Sequence, residues 1–506
     1  MTQQDQLKSI LSKLYTLHEG CELEFKESST QLPKSFWETY SSFANTAGGF
    51  IILGISEKPK LKIIGVSAPE KIISDICNNA NNPNKVNINL IEDKNICTYD
   101  IDGKTIISIY IPELSSARKP LYLQNNPKYS YIRKNEGDYI ATQDDLRRFI
   151  RNSHDNLDGE LLENYLFEDL NLNSILAFKN IIHLRNPSKN YLGMDNLEFL
   201  LEMGVFQIDR NDHRKPKLTI AGLLFLGKLS AIYQKFPSFH LEYINRRGLL
   251  NNERWKDRVC TGDLNYMDLN IFEFFHIVWE KLKATIEDPF ELDENSTRKS
   301  SAELSTTLRE ALANMLIHAD YLDEGYDLTV TVDNYFYTFS NPGSMRVSKT
   351  QFFTGGKSIP RNNTLITFFR RMGISDRAGT GGKAIFNFAK INKYEIPELT
   401  TTMEQTTLKI WVATPIVTHP ELDENAKTVF DYINKNKAVN ISQILEETNL
   451  TKYQSHKAIK ELLNTHLIVS IGKGRATKYL LMPSIIEKID AADVLRNLII
   501  KNINNP

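Results

Sequence analysis

Apolar and polar residues follow two periods along the chain, one typical of helices and one typical of strands. Residues 308–321 carry apolar side chains every three or four positions, which predicts an amphipathic helix. Alternation in residues 328–332 and 335–339 predicts a β-hairpin, which ends in a turn at residues 340–344. This order predicts an α/β module over residues 301–415.

The N-terminal part mixes the same two periods. Helical spacing occurs at residues 3–15, 36–47 and 143–151. Alternation at Cys21, Leu23 and Phe25 predicts a strand, and apolar runs predict further strands at residues 48–57, 63–66, 86–91 and 105–111. Residues 1–155 are therefore expected to form an α/β domain of their own.

Residues 156–300 form a middle segment that leads into the module. It combines an acidic linker with predicted helices and strands: a linker at 157–172, helices at 174–185, 196–203 and 269–286, a strand-rich turn at 217–226 and a strand at 240–247. Arg246, Arg247, Arg254, Lys256 and Arg258 make a loose basic cluster, either a phosphate-facing patch or a solvated face.

The C-terminal residues predict three helices followed by two strands. The helices fall at residues 425–434, from about 439, and at 451–463, and the strands at 467–472 and 476–481. This order matches a winged helix-turn-helix over residues 416–484, with a tail at 485–506. The fold class is thus α/β multidomain.

Composition is that of an ordinary globular protein of three or four domains, with 506 residues, 41% hydrophobic and 24% charged. No signal peptide and no apolar run of roughly 18 residues is present, so no membrane partner is expected. The four cysteines lack CxxC spacing, which argues against a zinc knuckle and favours the cytoplasm. With a net charge of −1, any nucleic-acid surface must be a local basic patch.

Candidate chemistry begins on the helix at residues 308–321. Glu310, Asn314 and His318 lie about one turn apart on the face opposite the apolar one. A carboxylate can orient or deprotonate water, and an amide oxygen can ligate Mg²⁺ beside phosphates. The alternative is the polar side of an ordinary surface helix.

Glycines precede a later helix, at Gly379, Gly381 and Gly382, where backbone N–H groups can approach phosphate oxygens. The whole series resembles the GHKL ATPase fold of gyrase, heat-shock chaperone, histidine kinase and mismatch-repair proteins. It is more similar to a divergent bacterial subfamily described as RecG-related or as transcriptional regulators. The shared motifs are R-E-A-L-x-N-x-x-x-H-x-D-Y at 309–321, S-N-P-G at 340–343, G-x-S-x-x-R-N at 356–362 and G-x-G-x-x-x-I at 379–385.

The resemblance implies ATP and Mg²⁺ as cofactors and assigns roles to single residues. Glu310 would be the water-activating base and Asn314 the Mg²⁺ ligand, with Asp320 and Gly343 in the same site. Asn341 stands where many GHKL members carry an adenine-reading Asp. Lys357 and Arg361 would lie on a lid over the phosphates, and Gly379, Gly381 and Gly382 would cradle them.

A second candidate site is a set of carboxylates in the N-terminal domain. Glu19, Glu24 and Glu57 lie at predicted strand ends, where they could hold divalent ions that activate water against a phosphodiester. Lys26 could neutralise phosphate charge nearby. The alternative is that these acidic residues are solvated surface.

This domain resembles the Schlafen-type (Alba-like, divergent AAA) domain. The resemblance rests on Glu19-x4-Glu24-Phe-Lys26, on the segments at 43–49 and 54–57, and on Lys119-Pro-Leu-Tyr with Tyr131-Ile-Arg133. In nucleolytic Schlafens, matching acidic positions form a metal-dependent RNase site with Mg²⁺ or Mn²⁺. Here Glu57 replaces the usual Asp, and Ser56 precedes it in place of an often acidic residue.

On the winged helix, basic residues and a glutamine suit groove and phosphate contacts with DNA or RNA: Lys452, Gln454, Lys457, Lys473 and Arg475. A protein-binding winged helix is the alternative. Three functions stay open. One is a nucleotide-gated, metal-dependent nuclease in defence against foreign nucleic acid, and another is an ATP-sensing DNA-binding transcriptional regulator. The third is a scaffold that forms a homo-oligomer on binding ATP.

Overall fold

The computed structural model describes most of the chain in separate stretches: residues 23–56, 62–101, 103–115, 118–134, 137–153, 156–249, 253–287, 297–347, 352–353, 355–356, 359–374, 381–419, 421–436, 438–465, 467–471 and 477–481. The described residues divide into two compact units. One is drawn from residues 1–153 and 423–506, and the other from residues 154–422.

The N-terminal segment consists of β1 (Leu23–Lys26), α1 (Phe36–Asn45), β2 (Gly49–Leu53), β3 (Ile55–Ser56), β4 (Lys62–Ile63), α2 (Pro69–Ala80), β5 (Ile96–Ile101), β6 (Lys104–Ile111), β7 (Tyr131–Lys134), β8 (Gly137–Ile140) and α3 (Gln143–Ser153). Four strands form a sheet in the order β1-β2-β6-β5. The β1–β2 pair is parallel and the other two pairs are antiparallel. The predicted α/β class is confirmed.

Helix α1 supplies much of the core of this segment, because Phe36, Tyr40 and Phe43 have no exposed area. Asn45 at its end is buried too, and its side-chain amide bonds the backbone of Leu121 in both directions, at 2.6 and 2.8 Å. Gly48 follows with φ +74, a conformation in which a Cβ would lie 2.9 Å from the Ile111 carbonyl oxygen. These contacts fix the position of α1 on the sheet.

The second unit consists of α4 (Leu172–Arg185), α5 (Asn196–Glu202), β9 (Phe206–Ile208), β10 (Pro216–Leu218), α6 (Ile220–Leu226), α7 (Leu229–Lys235), β11 (Leu241–Asn245), β12 (Asp257–Cys260), α8 (Ile271–Glu287), α9 (Thr297–His318), β13 (Leu328–Val332), β14 (Phe336–Pro342), α10 (Asn363–Arg371), α11 (Gly381–Ile391), β15 (Glu398–Thr401), β16 (Gln405–Trp411) and α12 (Pro415–Thr418). Its main sheet has the strand order β12-β11-β13-β14-β16-β15.

This sheet takes two of its six strands, β11 and β12, from the predicted middle segment. The β13–β14 hairpin was predicted and is confirmed. Strand β13 alternates buried and partly buried residues, so one face of the sheet lies on the core. Helices α8, α9 and α11 pack against one another or on β14 and β16 and supply that core.

Two predictions for individual segments were wrong. Residues 86–91 form no strand, and only an isolated bridge pairs Val86 with Leu123. The predicted strand-rich turn at 217–226 is mostly α6, whose seven residues are all buried. Thr219 caps this helix, accepting a hydrogen bond from the N–H of Gly222 at 3.0 Å.

The C-terminal segment consists of α13 (Glu424–Asn436), β17 (Ala438–Asn440), α14 (Ile441–Glu447), α15 (Lys452–Asn464), β18 (Ile468–Ile471) and β19 (Lys478–Leu481). The strands form a sheet in the order β17-β19-β18. The three helices and the last two strands lie where they were predicted, and their assignment as a winged helix stays a prediction. Within the described residues, no helix combines the length and apolar character needed to cross a membrane.

Candidate nucleotide and nucleic-acid sites

Glu310 and Asn314 lie one turn apart on α9, and both are partly exposed. The apolar residues predicted for the opposite face are buried, as Leu308, Leu312 and Leu316 show with no exposed area. The amide nitrogen of Asn314 donates to Oε1 of Glu310 at 3.2 Å. This bond leaves the amide oxygen of Asn314 without a hydrogen bond from the described residues, and such an oxygen suits Mg²⁺.

The N-terminus of α11 lies directly against this pair. A Cβ added to Gly381 would come within 2.8 Å of Glu310 Oε1 and 3.2 Å of Asn314 Nδ2. A Cβ on Gly382 would collide with the carbonyl oxygen of Phe352. The described part of α11 thus begins with two close-packed glycines beside the Glu310–Asn314 pair, and the first backbone N–H groups of a helix have no partner within the helix. That combination fits a phosphate next to Mg²⁺.

Two of the predicted phosphate-binding residues, Lys357 and Gly379, lie outside the described residues. Arg361 is described, and its guanidinium is buried rather than raised on a lid. It donates to the carbonyl oxygens of His318 at 3.1 Å and Ser344 at 2.8 Å. The side chain therefore ties the end of α9 to the turn after β14, and its role at a phosphate stays a prediction.

Asp320 and Gly343 surround this arginine. Gly343 has φ +91, and a Cβ there would lie 2.9 Å from Arg361 Nη2 and 3.0 Å from the Cβ of Asp320. The backbone N–H of Asp320 donates to the carbonyl oxygen of Pro342 at 2.9 Å. The S-N-P-G turn thus needs glycine because a buried guanidinium fills the adjacent space.

Asn341 lies near the end of β14, on the same sheet face as the buried Tyr337 and Phe339. It is 7% exposed, and its amide nitrogen donates to the carbonyl oxygen of Pro342 at 3.1 Å. A base-reading role for this amide stays a prediction.

His318 ends α9 beside the buried Arg361. Burial, together with the charges of Arg361 and Arg346, lowers the pKa of the imidazole to about 4. The ring is therefore neutral at pH 7.

In the N-terminal segment, Glu24 of β1 is held by two cations. Lys26 Nζ lies 2.9 Å from Oε1 and Arg133 Nη2 lies 2.8 Å from Oε2. Arg133 also pairs with Asp138 at 3.0 Å. Glu19 and Glu57, the other two predicted metal ligands, lie outside the described residues. Both Glu24 oxygens therefore face positive charge, and a divalent ion would share them with Lys26 and Arg133. Metal binding at Glu24 stays a prediction.

The contacts of Glu24 with Arg133, and of Arg133 with Asp138, were not predicted from the sequence. Tyr131-Ile-Arg133 is part of the resemblance to the Schlafen-type domain, but a shared motif does not show which residues it contacts. Asp138 accepts hydrogen bonds from Thr39 and Ser42 of α1, each at 2.5 Å. The cluster therefore joins β1, α1 and the β7–β8 hairpin.

Asp158 was also missed, because it lies in the segment interpreted as a linker. Its Oδ2 accepts the N–H groups of Thr364 and Leu365 at the start of α10, both at 2.8 Å. Burial raises the pKa of this carboxyl to about 6. The segment thus contributes a helix cap to the unit that carries Asn314.

On α15, Lys452 is exposed and makes no hydrogen bond or ion pair with the described residues. The side-chain oxygen of Gln454 instead caps the helix, accepting from the N–H and the hydroxyl of Thr451 at 2.9 and 2.8 Å. Lys457 pairs with Asp423 at 3.0 Å. Lys473 and Arg475 lie outside the described residues. Among the predicted contacts that the structure describes, Lys452 is the most available.

A cavity of about 460 Å³ lies away from Asn314, between β11, β12 and α8. Its walls include Tyr243, Arg247, Lys256 and Lys281. The hydroxyl of Tyr243 is buried and has no partner among the described residues.

Three family models match separate parts of the chain. They are "Schlafen, AlbA_2" at residues 19–142, a domain of unknown function (DUF8451) at 147–242, and "Putative ATP-dependent DNA helicase recG C-terminal", an HATPase-type model, at 337–410. No curated protein matches the sequence significantly.

Two solved structures are similar at low identity. The DIP2311 protein of Corynebacterium diphtheriae is 12% identical, with 94% of this chain and 99% of that chain covered and a TM-score of 0.37. The N-terminal domain of a RecG-related protein of Nitrosomonas europaea is 22% identical, with 27% and 94% covered and a TM-score of 0.20. Scores this low do not establish a shared fold. The family models show that the chain contains a Schlafen AlbA_2 domain and a RecG C-terminal HATPase-like domain.

Proposed function

We propose that the protein binds Mg·ATP around Asn314 and that nucleotide binding controls how it holds nucleic acid. The HATPase-like match covers residues 337–410, which include α11 and nearly all of β14 and β16, and such a domain implies nucleotide binding. The AlbA_2 match and the match to a RecG C-terminal model support a nucleic-acid partner. The observation that carries the proposal is the Glu310–Asn314 pair, which lies directly against Gly381 at the start of α11.

Each residue of this site has a separate task. Glu310 accepts a hydrogen bond from the Asn314 amide nitrogen, which leaves the amide oxygen available as a ligand. The N–H groups at the start of α11 would bind phosphate oxygens. When bound, Mg²⁺ would neutralise part of the phosphate charge. Glu310 also lies close enough to Gly381 to orient a water near the phosphates.

We favour regulated nucleic-acid binding over metal-dependent cleavage for the Schlafen AlbA_2 domain. A divalent ion at Glu24 would have to compete with Lys26 and Arg133, which pair with its two oxygens. A nuclease acting in defence is the second candidate. It is supported by the acidic residues Glu19, Glu24 and Glu57, which match the nucleolytic pattern.

One assay on the full chain tests both candidates. Fluorescence anisotropy would measure the affinity for labelled RNA, single-stranded DNA and double-stranded DNA, with and without Mg²⁺ and a non-hydrolysable ATP analogue. We expect the analogue to change at least one affinity threefold or more, and Asn314→Ala to remove that change while the affinity without nucleotide persists.

The same samples, run on a denaturing gel with Mg²⁺ or Mn²⁺, test cleavage. We expect intact nucleic acid. If the unaltered chain cleaves nucleic acid and Glu24→Gln does not, the nuclease is the correct function and the binding proposal is wrong. If the analogue changes none of the affinities, nucleotide binding does not control nucleic-acid binding.

A further inference from the structure

Three metal-ligating side chains meet on one face of the β11–β12 pair, at the outer edge of the six-stranded sheet. Glu242 and Cys260 are directly opposite each other in the antiparallel register. His240 lies two positions before Glu242 and so projects to the same face. One His nitrogen, one Glu oxygen and the Cys sulfur all lie within 4.8 Å of one another.

The separation of these atoms suits a tetrahedral zinc ion. The sulfur of Cys260 and Nε2 of His240 are 3.6 Å apart. A tetrahedral angle with a Zn–S bond of about 2.3 Å and a Zn–N bond of about 2.05 Å also separates the two ligands by about 3.6 Å. The two atoms are therefore already spaced as zinc ligands, and only Glu242 has to adjust.

Neighbouring groups orient the ligands as the partners of metal ligands commonly do. His240 Nδ1 lies 3.0 Å from Oγ1 of Thr261. With the proton on Nδ1 and donated to that oxygen, Nε2 presents its lone pair to the space beside the sulfur. We assign the imidazole proton to Nδ1 because of this hydrogen bond.

Glu242 is held through one oxygen only. Arg258 donates from Nε and Nη2 to Oε1 at 2.8 and 2.6 Å, and it stacks on Trp255 at 5.0 Å. Oε2 receives no hydrogen bond from the described residues and remains able to ligate. Arg258 Nη2 is also 3.4 Å from the Cys260 sulfur, where its charge favours the thiolate that binds metal.

The charges around the cluster permit an added cation. Burial raises the pKa of the Cys260 thiol, and the carboxylates of Glu242, Asp263 and Asp327 raise it further, against the opposing charge of Arg258. The thiol donates to the carbonyl oxygen of Thr261 at 3.3 Å, and a bound metal ion would release its proton. The alternative is that Arg258 alone balances the charge of Glu242, without a metal ion, and that these residues are simply polar side chains at the edge of the sheet.

We propose that His240, Glu242 and Cys260 form a zinc site with an open fourth position, which fastens edge strand β12 to β11. A set of one nitrogen, one oxygen and one sulfur favours Zn²⁺ over Mg²⁺ or Ca²⁺, because thiolate is a soft ligand. This site is separate from the nucleotide site and does not depend on the proposed function.

Cobalt is the probe, because a Co²⁺–thiolate bond gives a charge-transfer absorption that a carboxylate or amide site cannot give. The full chain, stripped with a chelator, would be titrated with Co²⁺ and then with Zn²⁺. We expect one equivalent of Co²⁺ to produce the absorption and Zn²⁺ to abolish it. Cys260→Ser and His240→Asn should lose it, whereas Cys97→Ser should keep it.

Alkylation of the unaltered chain covers the case in which a variant fails to fold. Mass spectrometry would follow the three described thiols, of which Cys260 is buried and Cys77 and Cys97 are partly exposed. Zn²⁺ should slow alkylation of Cys260 at least tenfold and leave the other two unchanged. No cobalt absorption in the unaltered chain, or an unchanged rate at Cys260, would overturn the site.

Discussion

The guanidinium of Arg133 lies 2.8 Å from the carboxylate of Glu24, although 109 positions separate the two residues in the sequence. The same arginine reaches Asp138 at 3.0 Å, and its side chain is 1% exposed. Removing any one of these three charges should destabilise the fold, because the remaining charges would stay buried without compensation.

Replacing Arg133 by Met should therefore destabilise the N-terminal domain by about 3–5 kcal/mol. Urea unfolding, followed by hydrogen exchange of α1 and β1, would measure the change. The control is Arg147→Met, since Arg147 pairs with Asp144 on the surface at 69% and 70% exposure, and a change below about 0.5 kcal/mol is expected there. Adding Glu24→Gln and Asp138→Asn should restore part of the loss. Equal effects at Arg133 and Arg147 would contradict the buried cluster.

Gly381→Ala should weaken Mg·ATP binding at least tenfold, because the new Cβ would meet Glu310 Oε1 at 2.8 Å and push the carboxylate towards the phosphates. Isothermal titration calorimetry would measure the affinity. Gly325→Ala is the matched control, since its Cβ meets only Asp323 at an ordinary 3.4 Å. An unchanged affinity in Gly381→Ala would place the nucleotide elsewhere.

Asn314→Ala removes the amide oxygen proposed for Mg²⁺ and should lower the Mg·ATP affinity at least tenfold, with a smaller effect on ATP in EDTA. Glu310→Gln keeps an oxygen for the Asn314 N–H and should bind Mg·ATP within about threefold of the unaltered chain. Titrations with and without Mg²⁺ would separate the two effects. Asn211→Ala, at an exposed position of the same unit, serves as the control.

On α15, Lys452→Ala should weaken DNA binding more than Lys457→Ala, because Lys457 already pairs with Asp423 at 3.0 Å. The salt dependence of log K should flatten by about one unit in Lys452→Ala. Lys435→Ala, on α13, is the exposed control. Should neither lysine matter, a protein partner for this segment becomes the better explanation.

The neutral His318 makes the second unit sensitive to acid. Its folded pKa is about 4 and its ordinary value is 6.5, so the unfolded chain binds more protons between these values. The stability that depends on the neutral ring is complete above pH about 6.5. It is lost as pH falls towards 4, by up to about 3 kcal/mol.

The pH dependence of stability must be compared between the unaltered chain and a variant, because the titration of Asp158 changes the stability in the opposite direction. Its folded pKa is about 6 against 3.8, so its stability contribution falls as pH rises through that range. Thermal midpoints of the unaltered chain and of His318→Gln at pH 7 and pH 5 would isolate the histidine. The unaltered chain should lose several degrees relative to the variant at pH 5. Parallel pH profiles would remove His318 as the cause.

Helices and strands were predicted correctly from the sequence where the hydrophobic residues recur regularly over a long segment. Helix α9 and the β13–β14 hairpin are of this kind, because each buries one regular face. Strand β5 was missed. It lies at the edge of its sheet, and its residues 96–100 are partly buried or exposed, so it lacks the apolar run that marked the central strands.

The wrong predictions arose where side chains replaced backbone pairing or where an apolar run was ambiguous. Residues 86–90 alternate, but the backbone N–H of Tyr122 donates to the side chain of Asn87 at 2.8 Å, and the backbone pairing is limited to the isolated Val86–Leu123 bridge. Residues 220–226 carry no polar side chain, and such runs do not distinguish a strand from a buried helix. The cluster around Glu24 could not be predicted, because one chain without an alignment gives no sign of contacts across 109 positions.

The parallel pairing of β11 with β13 has a practical consequence for anyone who wishes to study nucleotide binding on a fragment. A polypeptide that begins at residue 301 would contain β13 but not β11, and the five residue pairs between these two strands would be lost. The bare strand would offer its backbone groups to other molecules and promote aggregation. A fragment starting near residue 156 would retain both β11 and the Asp158 cap of α10.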